Sequence, residues 1–482
     1  MSAVLLPPTP TRFHQPANSH WNWHGPLIRG ALRVVHPDTL RELDLIRSVE
    51  LSPEKIRAVQ RERLEALLRH AWAETDYYRE VLDDCGVVRN GRVNLDRFTE
   101  IPFLTKKIMR EELGRLRARS LPPGRRAFAN RTGGSTGQPV DFWQDNVYWD
   151  VTIATRSYHF SMAGKELGER EMKVWGSERD LFAGTIGLKA KLENFVYNRR
   201  FEQCFHLPEP QILEIIDHIN EWKPKLLWCY RDGIYAIAQY INARGIRIHS
   251  PVAVVLGGAT IYPFMREEIG KALGSPVISA YGSREVGAAA CECGPGRGHH
   301  VAANSHVIEA IGEDERPVME HEGELAITPL MNFAMPLIRY RIGDRGRLTD
   351  RACPCGRGFP VLDALSGRVM EAMTNSKGEH VDGGFILYVL AYMAERGYMS
   401  KFQIIQEEDG SITINVVPEA GVVLAEHKTD LDAITDKIQF VMGKDCSVGF
   451  VAVSDIPSAA SGKYPYVICR KHPRTSGSPN IS

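Results

Sequence analysis

Net charge is what this sequence most plainly lacks: 59 Lys and Arg balance 59 Asp and Glu over 482 residues. With no excess of either sign, nothing steers the chain toward nucleic acid or an anionic membrane surface, and neither partner is expected. Apolar runs are short, well below the roughly 20 residues that span a bilayer. The N-terminus has no basic segment followed by an apolar one, so no secretory leader is read and the cytoplasm is the expected location. The Walker spacing Gly-x-x-x-x-Gly-Lys-Ser/Thr is absent, as is the Gly-x-Gly-x-x-Gly dinucleotide fingerprint. Internal repeats are absent too. The nine cysteines are odd in number and do not read as a disulfide framework.

What is present is a folded chain, 43% hydrophobic, long enough for two or three domains. Its most informative stretch is Arg131-Thr-Gly-Gly-Ser-Thr-Gly-Gln-Pro-Val140. Three glycines interleave with the hydroxyls of Thr132, Ser135 and Thr136. Glycine lets backbone N–H groups converge on an anion, and hydroxyls add uncharged donors. The stretch suits a loop that wraps a polyphosphate, although many Gly/Ser/Thr runs are plain surface loops.

Residues 1–50 carry scattered Pro, His and Trp and read as an irregular arm. Ser52-Pro53 marks an N-cap followed by proline at the first helical position, with a helix running toward Trp72 and a second over Tyr77–Leu82. Farther on, helical and strand patterns alternate. Leu226–Tyr230, Val252–Leu256 and Val277–Ala280 read as strands, with helices over Ile234–Ala243 and Tyr262–Leu273. This rhythm implies a largely parallel sheet covered by helices. Glu324–Thr328 and Pro336–Tyr340 read as strands of a more β-rich portion. Beyond Gly367-Arg368 the pattern becomes a compact α+β unit: helices over Gly383–Arg396 and Thr429–Met442, and strands over Phe402–Ile405, Ser411–Val417 and Ser447–Val453. The tail from Pro473 is Ser/Pro/Asn-rich and reads as disordered. The division expected is an arm (1–50), a large domain (51–366), a hinge (367–371), a C-terminal domain (372–470) and a tail (471–482).

Three further segments carry chemistry. Tyr281-Gly-Ser-Arg-Glu285 follows a strand, where ligands sit beyond the ends of parallel strands. An aromatic there can stack on a purine, and a carboxylate can hold Mg²⁺; a plain strand–turn–helix junction is the alternative. Arg339-Tyr-Arg-Ile-Gly-Asp344 brings a strand end to Asp344, a carboxylate able to accept both ribose hydroxyls or simply a turn residue. Ser461-Gly-Lys463 presents a lysine that can reach a phosphoryl oxygen or remain a surface charge. Four cysteines cluster as Cys291-Glu-Cys293 and Cys353-Pro-Cys355. Cys293, His300, Cys353 and Cys355 make a Cys₃His set, which closes a tetrahedral zinc with no open position and so predicts a structural ion. Cys291 and His299 are near enough to be mistaken for ligands. A catalytic zinc, or four reduced and unliganded cysteines, are the alternatives.

The order of these landmarks resembles that of the adenylate-forming ligases, whose phosphate loop reads Ser-Ser-Gly-Thr-Thr-Gly-Lys-Pro. Leu67-Leu-Arg-His-Ala71, Tyr77-Tyr-Arg79, Ile101-Pro-Phe-Leu-Thr-Lys106, Glu292-Cys293 with His300, and Cys353-Pro-Cys-Gly-Arg357 narrow the resemblance. They point to the phenylacetate–CoA ligase-like branch, which includes capsular-polysaccharide biosynthesis proteins. The resemblance spans roughly residues 50–470. It implies an α/β fold: a large N-terminal domain of mainly parallel sheets flanked by helices plus a β-rich portion, and a small mobile C-terminal α+β domain.

The resemblance also implies roles. Thr132, Gly133, Gly134, Ser135, Thr136 and Gly137 would hold the ATP phosphates. Gly257, Gly258, Ala280, Tyr281 and Gly282 would line the adenine site. Glu285 would bind Mg²⁺ and Asp344 the ribose. Lys463 would meet the reacting carboxylate and α-phosphate, with Arg368 at the hinge. Lys463, Glu285 and Thr136 are the catalytic candidates. The expected activity is ATP-dependent ligation of a small carboxylic acid, an aryl acid favoured by Trp143, Trp175, Trp228 and Tyr230, through an acyl-adenylate to coenzyme A. Transfer to an amine, a hydroxyl or a carrier protein, and a non-catalytic zinc-stabilised nucleotide-binding scaffold, are the competing readings. A homodimer is compatible with the sequence, which does not fix the oligomeric state. Three departures from the family pattern stand out: Gln138 replaces the loop Lys, Arg284 replaces a hydroxyl residue before Glu285, and Met370-Glu371 replaces the usual hinge Asp. The glycine-containing loop serving thioester formation is poorly matched by Thr374–His380.

Overall fold

A computed structural model describes residues 24–131, 140–175, 188–204, 207–258, 261–368, 372–376, 380–382, 390, 398–419, 421–456 and 466–470. The arm expected over 1–50 is not irregular where it is described. It forms two helices, α1 (His24–Val35) and α2 (Pro37–Val49). Ile28 and Leu32, then Leu40, Leu43 and Ile46, recur at three- and four-residue spacing and are buried; Pro37 at the start of α2 separates the helices. Arg63 fastens α2 to the body through a bidentate pair with Glu42 at 2.7 and 2.8 Å, and Glu42 also accepts from Asn304 at 2.7 Å.

Helix α3 (Pro53–Glu74) begins at Ser52, whose hydroxyl accepts from the Lys55 N–H, as the Ser-Pro signal predicts. Helix α4 (Asp76–Asp84) follows, capped by Thr75. A hairpin of β1 (Ala127–Arg131) and β2 (Asp141–Asp145) leads into α5 (Asn146–Met162). Then come β3 (Glu171–Trp175), β4 (Arg199–Gln203), α6 (Glu209–Trp222), β5 (Leu226–Tyr230), α7 (Arg231–Arg244), β6 (Ala253–Gly257), α8 (Pro263–Leu273) and β7 (Val277–Ser283). The β-rich part comprises β8 (Gly287–Glu292), β9 (His299–Val301), β10 (His306–Ile311), β11 (Pro317–Val318), β12 (Glu322–Pro329), β13 (Tyr340–Thr349) and β14 (Val361–Arg368).

All twelve strands from β3 to β14 form one sheet in the order β11-β10-β12-β13-β14-β9-β8-β7-β6-β5-β3-β4. From β4 to β7 every pairing is parallel; from β7 outward every pairing is antiparallel. Strand β7 therefore belongs to both halves. Chain order reverses where β3 lies between β4 and β5, a switch point that opens a crevice at the strands' C-terminal ends. Beyond the large sheet, β15 (Met399–Gln406), β16 (Ile412–Pro418), helix α9 (Lys428–Met442), β17 (Val448–Ala452) and β18 (Val467–Cys469) build a four-stranded sheet with one helix. The expected helix over Gly383–Arg396 and the tail from Pro473 lie outside the described residues, Leu390 excepted.

The strand expected over Pro336–Tyr340 is instead irregular, and β13 starts only at Tyr340. Arg339 explains why: its backbone is left-handed, φ 48°, and its side chain, 2% exposed, turns inward. There it grips the buried Glu309 carboxylate at 3.0 and 3.1 Å and donates to the Thr99 and Ile101 carbonyls. Burial pushes the Glu309 carboxyl up from its ordinary range, and Arg339 opposes that shift. Replacing Arg339 with Met strands Glu309 without its partner. We expect a loss of about 3–5 kcal/mol in denaturant unfolding, largely recovered in the double variant Arg339→Met/Glu309→Gln.

Candidate active site at the parallel–antiparallel junction

The candidate site is built outward from β7. Its register with β6 ends at Leu256↔Ser279. Beyond that, β7 pairs only with β8 among the described residues, through Ala280↔Cys291, Tyr281↔Ala290, Gly282↔Ala288 and Ser283↔Gly287. Ala280–Ser283 thus runs past the last β6 pair, and Gly257 ends β6 beside it. A Cβ on Gly257 would lie 3.9 Å from the Ala280 carbonyl oxygen. Gly258 has φ +95°, and a Cβ there would strike the Tyr230 ring at 2.6 Å. Gly257, Gly258, Ala280, Tyr281 and Gly282 therefore lie together at the C-terminal edge of the parallel strands.

Tyr281 is not beyond the strand, as the sequence suggested, but inside it; hairpin pairing with β8 carries the strand on to Ser283. Asp344 likewise lies within β13 rather than at a strand end, paired to the backbone of Arg368. The Tyr281 hydroxyl and Asp344 Oδ2 are 2.8 Å apart. Two candidates 63 residues apart thus touch directly, and the β14 backbone at Arg368 pairs with the second of them.

Glu285 sits in the turn between β7 and β8, so neither the strand-to-helix junction nor a helix start applies. The turn is fastened from three sides. Ser283 Oγ accepts from the Glu285 and Val286 N–H groups at 3.2 and 3.3 Å. Tyr148 of α5 donates to the Glu285 carbonyl at 3.2 Å, and Gln144 of β2 donates to the Arg284 carbonyl at 2.8 Å. Gln144 in turn accepts from Asn130 of β1 at 3.0 Å. The β1–β2 hairpin, whose last pair is Arg131↔Asp141, thereby brings the flanks of the glycine-rich segment to the Glu285 turn. Thr132, Gly133, Gly134, Ser135, Thr136, Gly137 and Gln138 lie outside the described residues, as do Lys463 and the Arg368 side chain.

The four aromatic candidates separate. Trp175, Trp228 and Tyr230 cluster at the ends of β3 and β5, with ring centroids 5.2 Å (Trp175–Trp228) and 5.5 Å (Trp175–Tyr230) apart. That is the switch-point crevice. Trp143 lies elsewhere, beneath the Arg117 guanidinium at 3.7 Å. Two cations join the cluster that sequence reasoning missed: Lys173 Nζ, 4.5 Å from the Trp228 ring, and the Arg156 guanidinium, 4.8 Å from the same ring. Alternation in Glu171–Trp175, with Met172 and Val174 buried, was the signal for a strand that turns Lys173 and Trp175 to one face.

At the opposite end of β8, Cys293, His300, Cys353 and Cys355 bring their ligand atoms within 4.8 Å of one another. Cys293 and Cys353 sulfurs are 3.5 Å apart, and His300 Nε2 is 3.1 Å from the Cys355 sulfur. A hydrogen bond from Cys293, with a second from His300, pushes the Cys355 thiol down to about 2, while Cys293 moves up. Cys291, buried in a separate apolar cluster, is not part of the group, nor is His299.

A family model described as "CapK C-terminal domain" matches residues 373–470. Over 377 residues the chain is 27% identical to a phenylacetate-coenzyme A ligase of Thermus thermophilus, covering 75% of this chain and 80% of that one. It is 22% identical to Protein CapK of Staphylococcus aureus, covering 85% and 88%. The chain is thus related in sequence to phenylacetate-coenzyme A ligases and to Protein CapK, the family that its landmarks resemble. Among solved structures of the same superfamily fold, 2-hydroxyisobutyryl-CoA ligase in its postadenylation state is 18% identical. The match covers 87% of this chain and 90% of that one, with a TM-score of 0.69. Against the same ligase in its thioesterfication state the TM-score is 0.53 at 19% identity, covering 87% and 90%. Within this family fold the β7–β8 hairpin leaves no room at Gly282, where a Cβ would meet the Gly287 carbonyl oxygen at 2.0 Å. Gly282→Ala is expected to splay the hairpin and lower stability by about 1–3 kcal/mol, with ATP affinity, read by calorimetry, falling at least tenfold.

Proposed function

We propose that this protein is an ATP-dependent, AMP-forming carboxylic acid ligase that passes its acyl group to coenzyme A. The observation that carries this reading is the meeting of Tyr281, Asp344 and the Glu285 turn where β7 runs past β6. Gly257, Gly258, Ala280 and Gly282 take the adenine, with the Tyr281 ring against its face. Asp344 accepts the ribose hydroxyls. Thr132–Gly137, with Thr136 as the catalytic candidate among them, wrap the β- and γ-phosphates. Lys463 meets the α-phosphate and the acid. Arg368 marks the hinge. Glu285 holds magnesium, which when bound neutralises phosphate oxygens.

A carboxylate oxygen attacks the α-phosphorus, the bond to the bridging α–β oxygen breaks, and pyrophosphate leaves, giving the acyl-adenylate. The thiol sulfur of coenzyme A then attacks the acyl carbon, AMP leaves with the bonding pair, and the thiol proton passes to solvent. Catalysis rests on positioning and charge neutralisation. The Trp175–Trp228–Tyr230 cluster favours an aryl acid. A second reading, transfer to an amine, hydroxyl or carrier protein in place of coenzyme A, is favoured by the match of 373–470 to the CapK C-terminal domain.

The test is carboxylate-dependent ATP–pyrophosphate exchange over a panel of aryl and alkyl acids, with product masses recorded with and without coenzyme A. Exchange by Lys463→Ala should fall by about 10²-fold or more while ATP binding persists; wild-type exchange in that variant rejects the assignment. Tyr281→Phe and Asp344→Asn should raise the KM for ATP more than they lower kcat.

Three thiols and one imidazole, gathered in a half-buried cluster, suit tetrahedral zinc with no position left for water. Cys293, His300, Cys353 and Cys355 accordingly hold a structural ion that ties the β8–β9 loop to the β13–β14 loop. Elemental analysis should give one zinc per chain. Cys355→Ser should lower metal content and Tm together, with the loss of Tm reproduced by chelation of the wild type.

A further inference from the structure

Among the described residues, the C-terminal domain is docked on the large domain through an apolar cluster. Tyr262, at the N-cap of α8, and Met265 within it are buried with Met373, Phe402, Ile404, Ile434 and Ile438. At the rim of this contact stands Arg231, the first residue of α7, placed directly after the end of β5. Its position is costly twice over. A cation at a helix N-terminus opposes the macrodipole, and this one is only 4% exposed. Its Nε pairs with Asp232 Oδ1 at 2.7 Å, while Asp232 Oδ2 is buried with no hydrogen-bond partner among the described residues. A buried ion pair of this kind contributes little stability, so its geometry calls for another reason.

That reason lies across the domain boundary. The guanidinium is 5.2 Å from the Tyr466 ring of the C-terminal domain and 5.9 Å from the Tyr262 ring of the large domain. Both are within cation–π range, strongest where water is excluded. Tyr466 is itself fixed: its carbonyl accepts from the Ile404 N–H at 2.7 Å, and its ring lies 5.5 Å from Phe402. Arg231 thus grips one aromatic from each domain at the edge of the crevice where the parallel strands end.

We propose that Arg231 is a positioning residue for adenylation, holding the C-terminal domain docked by clamping Tyr466 against Tyr262. The proposal rests on the adenylation reading above. Release of Tyr466 would uncover Arg231 and the α8 face together, so this contact, with the apolar cluster beside it, opposes undocking for the second step.

Two measurements on the full-length protein test it. Hydrogen exchange requires no substrate. In Arg231→Met, amides of 262–273 and 466–470 should exchange at least about tenfold faster, while those of 253–257 stay unchanged. The second measurement separates the half-reactions, with phenylacetate and 2-hydroxyisobutyrate as acids. ATP–pyrophosphate exchange should fall about tenfold in Arg231→Met and in Tyr466→Ala, no further in the double variant, and within about twofold in Tyr466→Phe. Transfer from the preformed acyl-adenylate to coenzyme A should not fall. Unchanged hydrogen exchange in both single variants, additive losses, or equal loss of both half-reactions overturns the clamp. Should Arg231→Met not fold, Tyr466→Ala carries the test from the other side. If wild-type enzyme exchanges no pyrophosphate with any acid of the panel, the adenylation reading fails, and the hydrogen-exchange result still judges the contact.

Discussion

Strand β7 has to satisfy two different sheets, and this requirement arranges most of the molecule. On one edge it takes slanted parallel hydrogen bonds from β6; on the other it takes antiparallel bonds from β8. The two registers do not end together. Four residues of β7 run past the last β6 pair, with their other edge already satisfied. Small residues accompany the overhang: Gly257 and Gly258 close β6, and Gly282 meets Gly287 where no side chain fits. The Glu285 turn inherits its position from the same hairpin, because it connects the overhanging end of β7 to β8.

The far end of β8 is held differently. Cys293 follows that strand, His300 sits on β9, and the Cys353–Cys355 loop joins β13 to β14. The cluster therefore joins two pairs of strands that already share the sheet through β9 and β14. Arg339 does comparable work one layer away. Its left-handed backbone and buried guanidinium set where β13 begins, and so where Asp344 falls relative to Tyr281. Register errors in a sheet shift side chains in steps of one residue, so a fixed start to β13 matters more here than its length.

Much of this was legible in the residues. The βαβ rhythm from Leu226 to Val277 predicted a parallel sheet, Ser52-Pro53 marked the start of a helix, and the Cys₃His spacing picked out four side chains that meet in space. The errors share a cause. Helices α1 and α2 were hidden because the His- and Trp-rich stretch before them has no period, although Ile28, Leu32, Leu40, Leu43 and Ile46 do. Pro336–Tyr340 has the composition of a strand, but a buried arginine in left-handed conformation overrides it. Tyr281 and Asp344 were placed at strand ends because a short motif does not reveal how far a strand is extended by its neighbour. Lys173, Arg156 and Arg231 carry no motif; their positions depend on strand pairing and domain docking, which are non-local.

The β1–β2 hairpin has a consequence for how the carboxylate turn is held. Among the described residues it pairs only with itself, and its register closes at Arg131↔Asp141, on either side of the glycine-rich segment. Gln144, which carries the connection to the Glu285 turn, lies three residues inside that closed register. The side chains that fasten the carboxylate turn, Gln144 and Tyr148, therefore lie outside the glycine-rich segment, and the hairpin acts as a frame whose hold on the turn is built separately from the segment it flanks.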